Sequence, residues 1–487
     1  MLSIALLAFL PVAASPEREG VSSDGLVKWL DACDRELDAM HGFVLLRHGK
    51  LVAEGSWAPY ATLDETHRLY SHSKAVTATA VGFLVDAGKL DLDERAVDIL
   101  TDKVPAEPSE NLRQLRVRDL LTMNAGAEKT DAERNDRDGD WEKAFLANAI
   151  DGKPGLRFRY DSGATYLLGA IVERKCGQPM MEFLQQRLFG PLGIDKVWTT
   201  FSPSGTPCGG WGMNMTTREM ALFGQLYLQK GEWNGKRLLS EDWVSLASTR
   251  QTWSGKIGVT GQDGSDWHQG YGFKFWRCRH NCYRADGASG QFTIVMPDQD
   301  AVLSIHAGID NTQKELDLVW DYVLPALATS ALPEDVSAAA RLKDRCAKLA
   351  LPPVAGVREG AADVLGRDIE LKQTPSTFSG VRAERTADGW ELTLKTSAGT
   401  FRVPAGFGTW ARGQMTFSTK RHETLGDIVG PQRVAGSAAV QADGSLKVRL
   451  WTLDGPQKID LRLFTANGAA AAEGRLHGIG GGKISSL

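Results

Sequence analysis

Strand-like runs stand on both sides of a long helical stretch, and every strand needs a partner. Near the start, Phe43-Val44-Leu45-Leu46 and Leu51-Val52-Ala53 flank His48-Gly49, a pattern that predicts a β-hairpin. Strand signals return only at Tyr271 to Arg277, Gln291 to Met296 and Ala301 to His306. Between them the spacing of apolar residues is helical, in Val117 to Met123, Trp141 to Ala149, Tyr166 to Lys175, Met181 to Leu188 and Arg218 to Leu228. A helix over about Gln313 to Leu327 closes this part. No strand is orphaned if one antiparallel sheet is built from both ends of the segment. That arrangement is an α+β fold, the sheet flanked by helices, with an all-α subdomain inserted between its halves.

After about residue 350 the pattern changes. Trp390 to Leu394, Leu446 to Leu450 and Ile459 to Leu463 alternate with period two, and Asp388-Gly389, Asp443-Gly444 and Asp454-Gly455 mark tight turns. The expected organisation is an α+β domain over 15–345, an all-β domain of sandwich or barrel type over 346–465, and an Ala/Gly-rich disordered tail over 466–487. A length of 487 residues suits two domains. The 56 basic against 60 acidic residues argue against nucleic acid or an anionic membrane as obligate partner.

Ile4 to Phe9 is apolar but too short to span a bilayer. Small residues at Val12 and Ala14 suit cleavage after Ala14, although no Lys or Arg precedes the run. A signal peptide over 1–14, a periplasmic or secreted mature chain and no membrane anchor are expected. Six cysteines fit export. Cys278 and Cys282, between two strand-like runs, are expected to clamp a hairpin tip as a disulfide. A metal site using His280 with both thiols is disfavoured, because no further His or Cys lies nearby. The other four cysteines, Cys33, Cys176, Cys208 and Cys346, have no assignable pairing.

The sequence carries no G-x-S-x-G elbow, no H-E-x-x-H, no P-loop and no dinucleotide glycine fingerprint. It does carry Ser71-His72-Ser73-Lys74, its only S-x-x-K, at the start of an apolar helix predicted from Ser71 to Ala87. Positions i and i+3 share a helix face, so the Ser71 hydroxyl and the Lys74 amine can meet, while Ser73 is rotated away. The helix dipole favours an anionic oxygen at Ser71, and desolvation favours a neutral, basic Lys74. Tyr160-Asp161-Ser162 precedes a second apolar helix. There Tyr160 can relay a proton beside an ammonium, and Ser162 can orient Lys74. Ala285-Asp286-Gly287-Ala288-Ser289-Gly290-Gln291 leads into a strand whose glycines admit close approach of a substrate. The N–H of Ala288 could pair with that of Ser71 as an oxyanion hole.

With these three elements the chain resembles the serine β-lactamase superfamily, in its class C, esterase and nylon-oligomer-hydrolase branch. The resemblance extends to Arg116 to Gly126, Pro154 to Tyr160, Gly209 to Met220 (with Trp211) and Tyr271-Gly272-Phe273, and covers about residues 25 to 330. It implies Ser71 as acyl-forming nucleophile, Lys74 as its partner and Tyr160 as general base and acid. Ser71 and Ala288 would supply the oxyanion hole, with Ser162, Asp286, Gly287, Ser289 and Trp211 supporting the substrate, and no metal or cofactor. Where the family has a Lys or His followed by Thr and Gly, this chain has Ala285, Asp286 and Gly287. An unpaired Asp286 would repel a substrate carboxylate. Pairing with Arg284 is the alternative, and Arg284 would then be a candidate for the missing cation. The leading expectation is a secreted serine hydrolase acting on a small ester or amide. The alternatives are a β-lactamase or D,D-peptidase, and a catalytically inactive binding protein of the same fold.

Overall fold

The computed structural model describes residues 10–127, 139–147, 150–255, 264–360, 363–418, 430–478 and 481–487. Helix α1 (Ser23–Glu36) is capped by Ser22, whose Oγ accepts from Gly25 N at 3.1 Å, and it leads into β1 (Met40–Arg47) and β2 (Lys50–Ser56). Helices α2 (Ser73–Asp86), α3 (Ser162–Cys176) and α4 (Thr217–Leu228) follow. Next come β3 (Trp276–Arg277), β4 (Tyr283–Gly287), β5 (Gln291–Met296) and β6 (Ala301–Ala307). Helices α5 (Thr312–Leu318) and α6 (Val336–Ala347) complete the first domain.

The sheet order is β2-β1-β6-β5-β4-β3, antiparallel throughout, so the two ends of the domain form one sheet as the strand signals require. Helix α4 covers one face, and Gly224 is what lets it approach. A Cβ there would sit 2.5 Å from Thr293 Cγ2. Trp29, Phe43, Leu45, Ile305 and Val319 fill the core on the other face, under α1 and the turns after α5. Helix α2 is apolar almost all round and is buried among α3 and the inserted helices, with Ala78, Val81, Leu167 and Ile171 in that core. The run from Tyr271 forms a strand only at Trp276–Arg277, because Lys274 adopts φ 67° and turns the chain.

The second domain is a ten-stranded sheet: β7 (Ile369–Glu370), β8 (Phe378–Arg385), β9 (Gly389–Thr396), β10 (Gly399–Gly406), β11 (Ala411–Met415), β12 (Gln432–Val440), β13 (Leu446–Thr452), β14 (Lys458–Ala466), β15 (Ala469–His477) and β16 (Gly482–Ser485). Just past β7, Gln373 exchanges backbone hydrogen bonds with Ser485 of β16, so the sheet curls like an incomplete barrel. The expected disordered tail is therefore corrected. Residues 469–477 pair along β14, and Ala472, Leu476 and Ile484 are buried in the core. Small alanines permit close packing there, so a composition that suggested disorder instead forms two strands.

The disulfide expectation is corrected too: Cys278 and Cys282 are free thiols. Cys278 N donates to Cys282 O at 2.9 Å, and His280 and Asn281, at φ 57° and 55°, make the tight turn that closes the hairpin without a cross-link. Arg284 Nη1 approaches Cys278 Sγ at 3.1 Å, and burial pushes that thiol up to about 11. Of the expected leader, residues 1–9 lie outside the described residues, while Ala13 N donates to Leu51 O at 2.9 Å beside β2. No described helix is long and apolar enough to cross a membrane.

Candidate active site

A two-residue strand, His67–Arg68, pairs with Asn214–Met215 and feeds a 3-10 turn, Tyr70–His72, that runs into α2. Ser71 thus stands one step before the α-helix proper, partly exposed at its N-terminus. Tyr70 takes φ 47°, a left-handed conformation that costs a non-glycine residue roughly 1–2 kcal/mol and must be held by its surroundings. Ser73 is part of that hold: its Oγ donates to Tyr70 O at 2.7 Å and accepts from Met213 N at 3.1 Å. Fully buried and engaged in both directions, Ser73 is no rival to Ser71.

Lys74 is 1% exposed, and its Nζ lies 2.9 Å from Ser71 Oγ, 2.9 Å from Ser162 Oγ and 2.6 Å from Gly210 O. Three oxygens thus surround the Lys74 amine and hold it against the Ser71 hydroxyl. Ser162 opens α3, where Asp161 caps the helix by accepting from Gly163 N at 2.9 Å. Gly210 must be glycine to bring its carbonyl in, since a Cβ there would be 2.9 Å from Ser162 O.

The Tyr160 ring lies against the same amine, its centroid 4.9 Å from Lys74 Nζ. It stacks on Trp276 at 5.6 Å with 22° between planes and meets Tyr271 edge-on at 6.4 Å. At 36% exposure Tyr160 faces the open side of the site.

Gly287 ends β4 against the turn that carries Ser71, where a Cβ would be only 2.0 Å from Leu69 O. This contact brings Ala288 to the neighbourhood of Ser71. The turn beyond it has Ser289 at φ 64° and Gly290 at φ 89°, and it is pinned by Gln291 Nε2 donating to Ala288 O at 3.1 Å and by Ile309 N donating to Ser289 O at 3.2 Å.

Asp286 pairs with Arg284, Nε to Oδ2 at 2.8 Å, so the unpaired repelling acid is not what the structure holds. Burial raises the Asp286 carboxyl, against the pull of Arg284 and Lys74. Arg284 has no exposed surface and lies 4.5 Å from the Trp267 ring centroid, so it offers no cation to a substrate either. Trp211 is packed against Trp141 at 6.0 Å and Tyr166 at 6.4 Å, which makes it a support of the Gly210 segment rather than an open binding surface.

Several neighbours escaped the sequence reading. Gly210 was signalled only by its Gly-Gly-Trp-Gly run, and Trp276 only as a strand residue. His41, His67 and His306 are scattered in sequence yet share one buried cluster, with His41 Nδ1 3.1 Å from His67 Nε2 and the His67 and His306 rings 4.4 Å apart. Among the described residues no group of His, Cys, Asp and Glu side chains has a metal-holding arrangement.

The sequence profile of the Beta-lactamase family matches residues 30–328. A 6-aminohexanoate-dimer hydrolase of Paenarthrobacter ureafaciens is 28% identical over 253 residues, 47% of this chain and 63% of that protein, so the match spans less than two thirds of that relative. Penicillin-binding protein 4 of Amycolatopsis lactamdurans is 28% identical over 281 residues, 50% of this chain and 72% of that one. A solved Bacillus anthracis structure is similar at TM-score 0.53 and 19% identity, covering 67% of this chain and 89% of that one, a likeness of fold. With its profile match spanning the whole sheet and the inserted helices, the chain belongs to the β-lactamase family of serine hydrolases.

Proposed function

We propose that this protein cleaves an ester or amide through an acyl-enzyme on Ser71. The observation that carries the reading is Lys74 Nζ held between Ser71 Oγ and Ser162 Oγ at 2.9 Å each. Ser71 Oγ attacks the substrate carbonyl while its proton passes to the Lys74–Tyr160 pair. The N–H groups of Ser71 and Ala288 receive the developing oxyanion. Collapse breaks the scissile bond, and the same pair returns the proton to the leaving alcohol or amine. Water then attacks the acyl-enzyme, giving its proton to the pair and releasing the acid with Ser71 restored.

The hydrolase relative that bears the name of an amide oligomer supports the amide side of this reading. The absence of an exposed cation on Ala285-Asp286-Gly287 favours neutral esters and amides over carboxylate-bearing β-lactams. The complete Ser71–Lys74–Ser162 arrangement argues against an inactive binding protein. The small residues at Val12 and Ala14 support export; N-terminal sequencing of protein recovered from periplasm or medium tests it. For the hydrolase itself, a fluorophosphonate should label Ser71, and Ser71→Ala should lose both label and turnover of a panel of acyl esters and amides. Undiminished labelling of that variant would remove Ser71 from the mechanism.

A further inference from the structure

The turn that presents Ser71 is attached to the second domain as well as to its own. Within the first domain, Leu69 N donates to Met213 O at 2.9 Å, Ser73 Oγ donates to Tyr70 O at 2.7 Å, and Gly287 abuts Leu69 O. From the second domain, the start of β12 and the β13–β14 hairpin reach across. Arg68 N donates to Asp454 O at 3.0 Å, Arg433 Nη2 donates to Thr66 O at 3.1 Å, and Gln457 Nε2 donates to the Tyr70 hydroxyl. Gln457 is 387 positions from Tyr70, and both are buried.

Beside the apolar packing of Trp451 and Leu453 on the first domain, a cavity of about 350 Å³, lined by Arg68, Asn214, Arg433, Asp454 and Gln457 among others, lies along the seam next to these polar links. Tyr70 is the residue whose left-handed backbone sets the direction of Ser71, and its side chain ends on the Gln457 amide. We infer that Gln457 is a positioning residue for the nucleophile: through the Tyr70 hydroxyl, the C-terminal domain holds the 3-10 turn in the conformation that aims Ser71 Oγ at Lys74. The inference rests on the serine-hydrolase reading above.

The physical reason for an effect is alignment. A reacting atom displaced by about 1 Å loses on the order of 100-fold in rate. Releasing Tyr70 should therefore slow acylation without changing how the substrate is held. The experiment measures the second-order rate of fluorophosphonate labelling, together with kcat and KM for the best ester, in the full chain. Gln457→Leu and Tyr70→Phe remove the same hydrogen bond from opposite sides. Each should lower labelling and kcat by about tenfold or more, with KM nearly unchanged. The double variant should be no slower than the slower single. Arg412→Ala removes a different interdomain link, to Pro59 O and Glu65, and should leave the labelling rate at the unmodified level even where it lowers Tm. Normal labelling in folded Gln457→Leu and Tyr70→Phe, or a multiplicative double variant, would overturn the inference while leaving Ser71 as nucleophile. Equal slowing by Arg412→Ala would overturn it as well, by reducing the effect to loosened domains. No labelling of Ser71 in the unmodified protein would remove the hydrolase reading and this inference with it.

Discussion

Arg284 lies beneath Asp286, guanidinium to carboxylate at 2.8 Å, so the strand edge beside Ser71 presents a neutralised acid and no exposed cation. Asp286 is 12% exposed and Arg284 not at all. Removing one member of a buried pair leaves the other uncompensated, which costs about 3–5 kcal/mol. Arg284→Met should accordingly lower the urea midpoint strongly. Asp286→Asn should change the preference between anionic and neutral esters by less than about threefold, because the acid is already neutralised by its partner. A gain on anionic substrates well beyond that would restore Asp286 as a repelling group.

Lys74 and Tyr160 are expected to work as one proton-transfer unit. Lys74→Ala and Tyr160→Phe should each reduce the acylation rate by roughly 10²–10⁴-fold, the scale of lost general acid–base catalysis. Since either loss disables the unit, the double variant should be far less impaired than the product of the singles. Stopped-flow acylation by a chromogenic ester measures all three, and independent, multiplying losses would contradict a shared relay.

Ser162→Ala takes away one of the three acceptors around Lys74 Nζ. The amine should then be less firmly aimed, lowering kcat by about tenfold with little change in KM. Ser162→Asn, which keeps a polar oxygen at that place, should recover part of the loss. Equal kcat in all three proteins would show that Ser162 is a bystander.

Acid should unfold the protein through its buried histidines. His41, His67, His72 and His306 are held neutral because burial disfavours their charged forms, His67 and His72 being lowered to about 3. The unfolded chain binds these protons below pH 6.5 and the folded chain does not. Their stabilisation is therefore complete above 6.5 and is lost as pH falls, for His67 and His72 toward about 3. Glu315 works with the opposite sign, since burial raises its carboxyl and its penalty grows as pH rises past 4.5. Urea titrations from pH 7 to 4 should show a falling midpoint, and replacing His306 with Gln should flatten the slope. A midpoint independent of pH across that range would contradict the account.

Truncation after Ala466 is expected to be damaging, because it removes two strands. Leu476 and Ile484 alone bury enough apolar surface to contribute about 1.5–3 kcal/mol each. The deletion also leaves β14 with an unpaired edge. Lower Tm and concentration-dependent aggregation should appear by calorimetry and light scattering; an unchanged Tm would mean the strands are dispensable.

Local pattern and helical spacing were enough to place Ser71 against Lys74, because i and i+3 on one turn meet whatever the remainder of the chain does. The two-ended sheet was legible for a similar reason: the strand-like runs at the two ends of the domain left no other partners. Pairings between distant segments left no such mark. Gln457 on Tyr70, the gathering of His41, His67 and His306, and the carbonyl of Gly210 on Lys74 depend on tertiary closure rather than on spacing. Composition misled where packing overrode it, as in the alanines of β15. Hairpin residues between strands also suggested a cross-link at Cys278 and Cys282, where two left-handed residues suffice.

The pairing of β1 with β6 has a consequence for the order in which this molecule can come into being. The first strand and the Ser71 turn leave the ribosome long before β4, β5 and β6 exist to receive them, and longer still before the β13–β14 hairpin arrives. A nascent or clipped chain thus carries the serine and its lysine with neither the Gly287 abutment nor the Tyr70 strut. Contacts of such separation form late and slowly. On the proposed mechanism reactivity is in this way deferred until these segments have joined, and a fragment released by proteolysis anywhere before Gln457 lacks the hydrogen bond that Gln457 gives Tyr70.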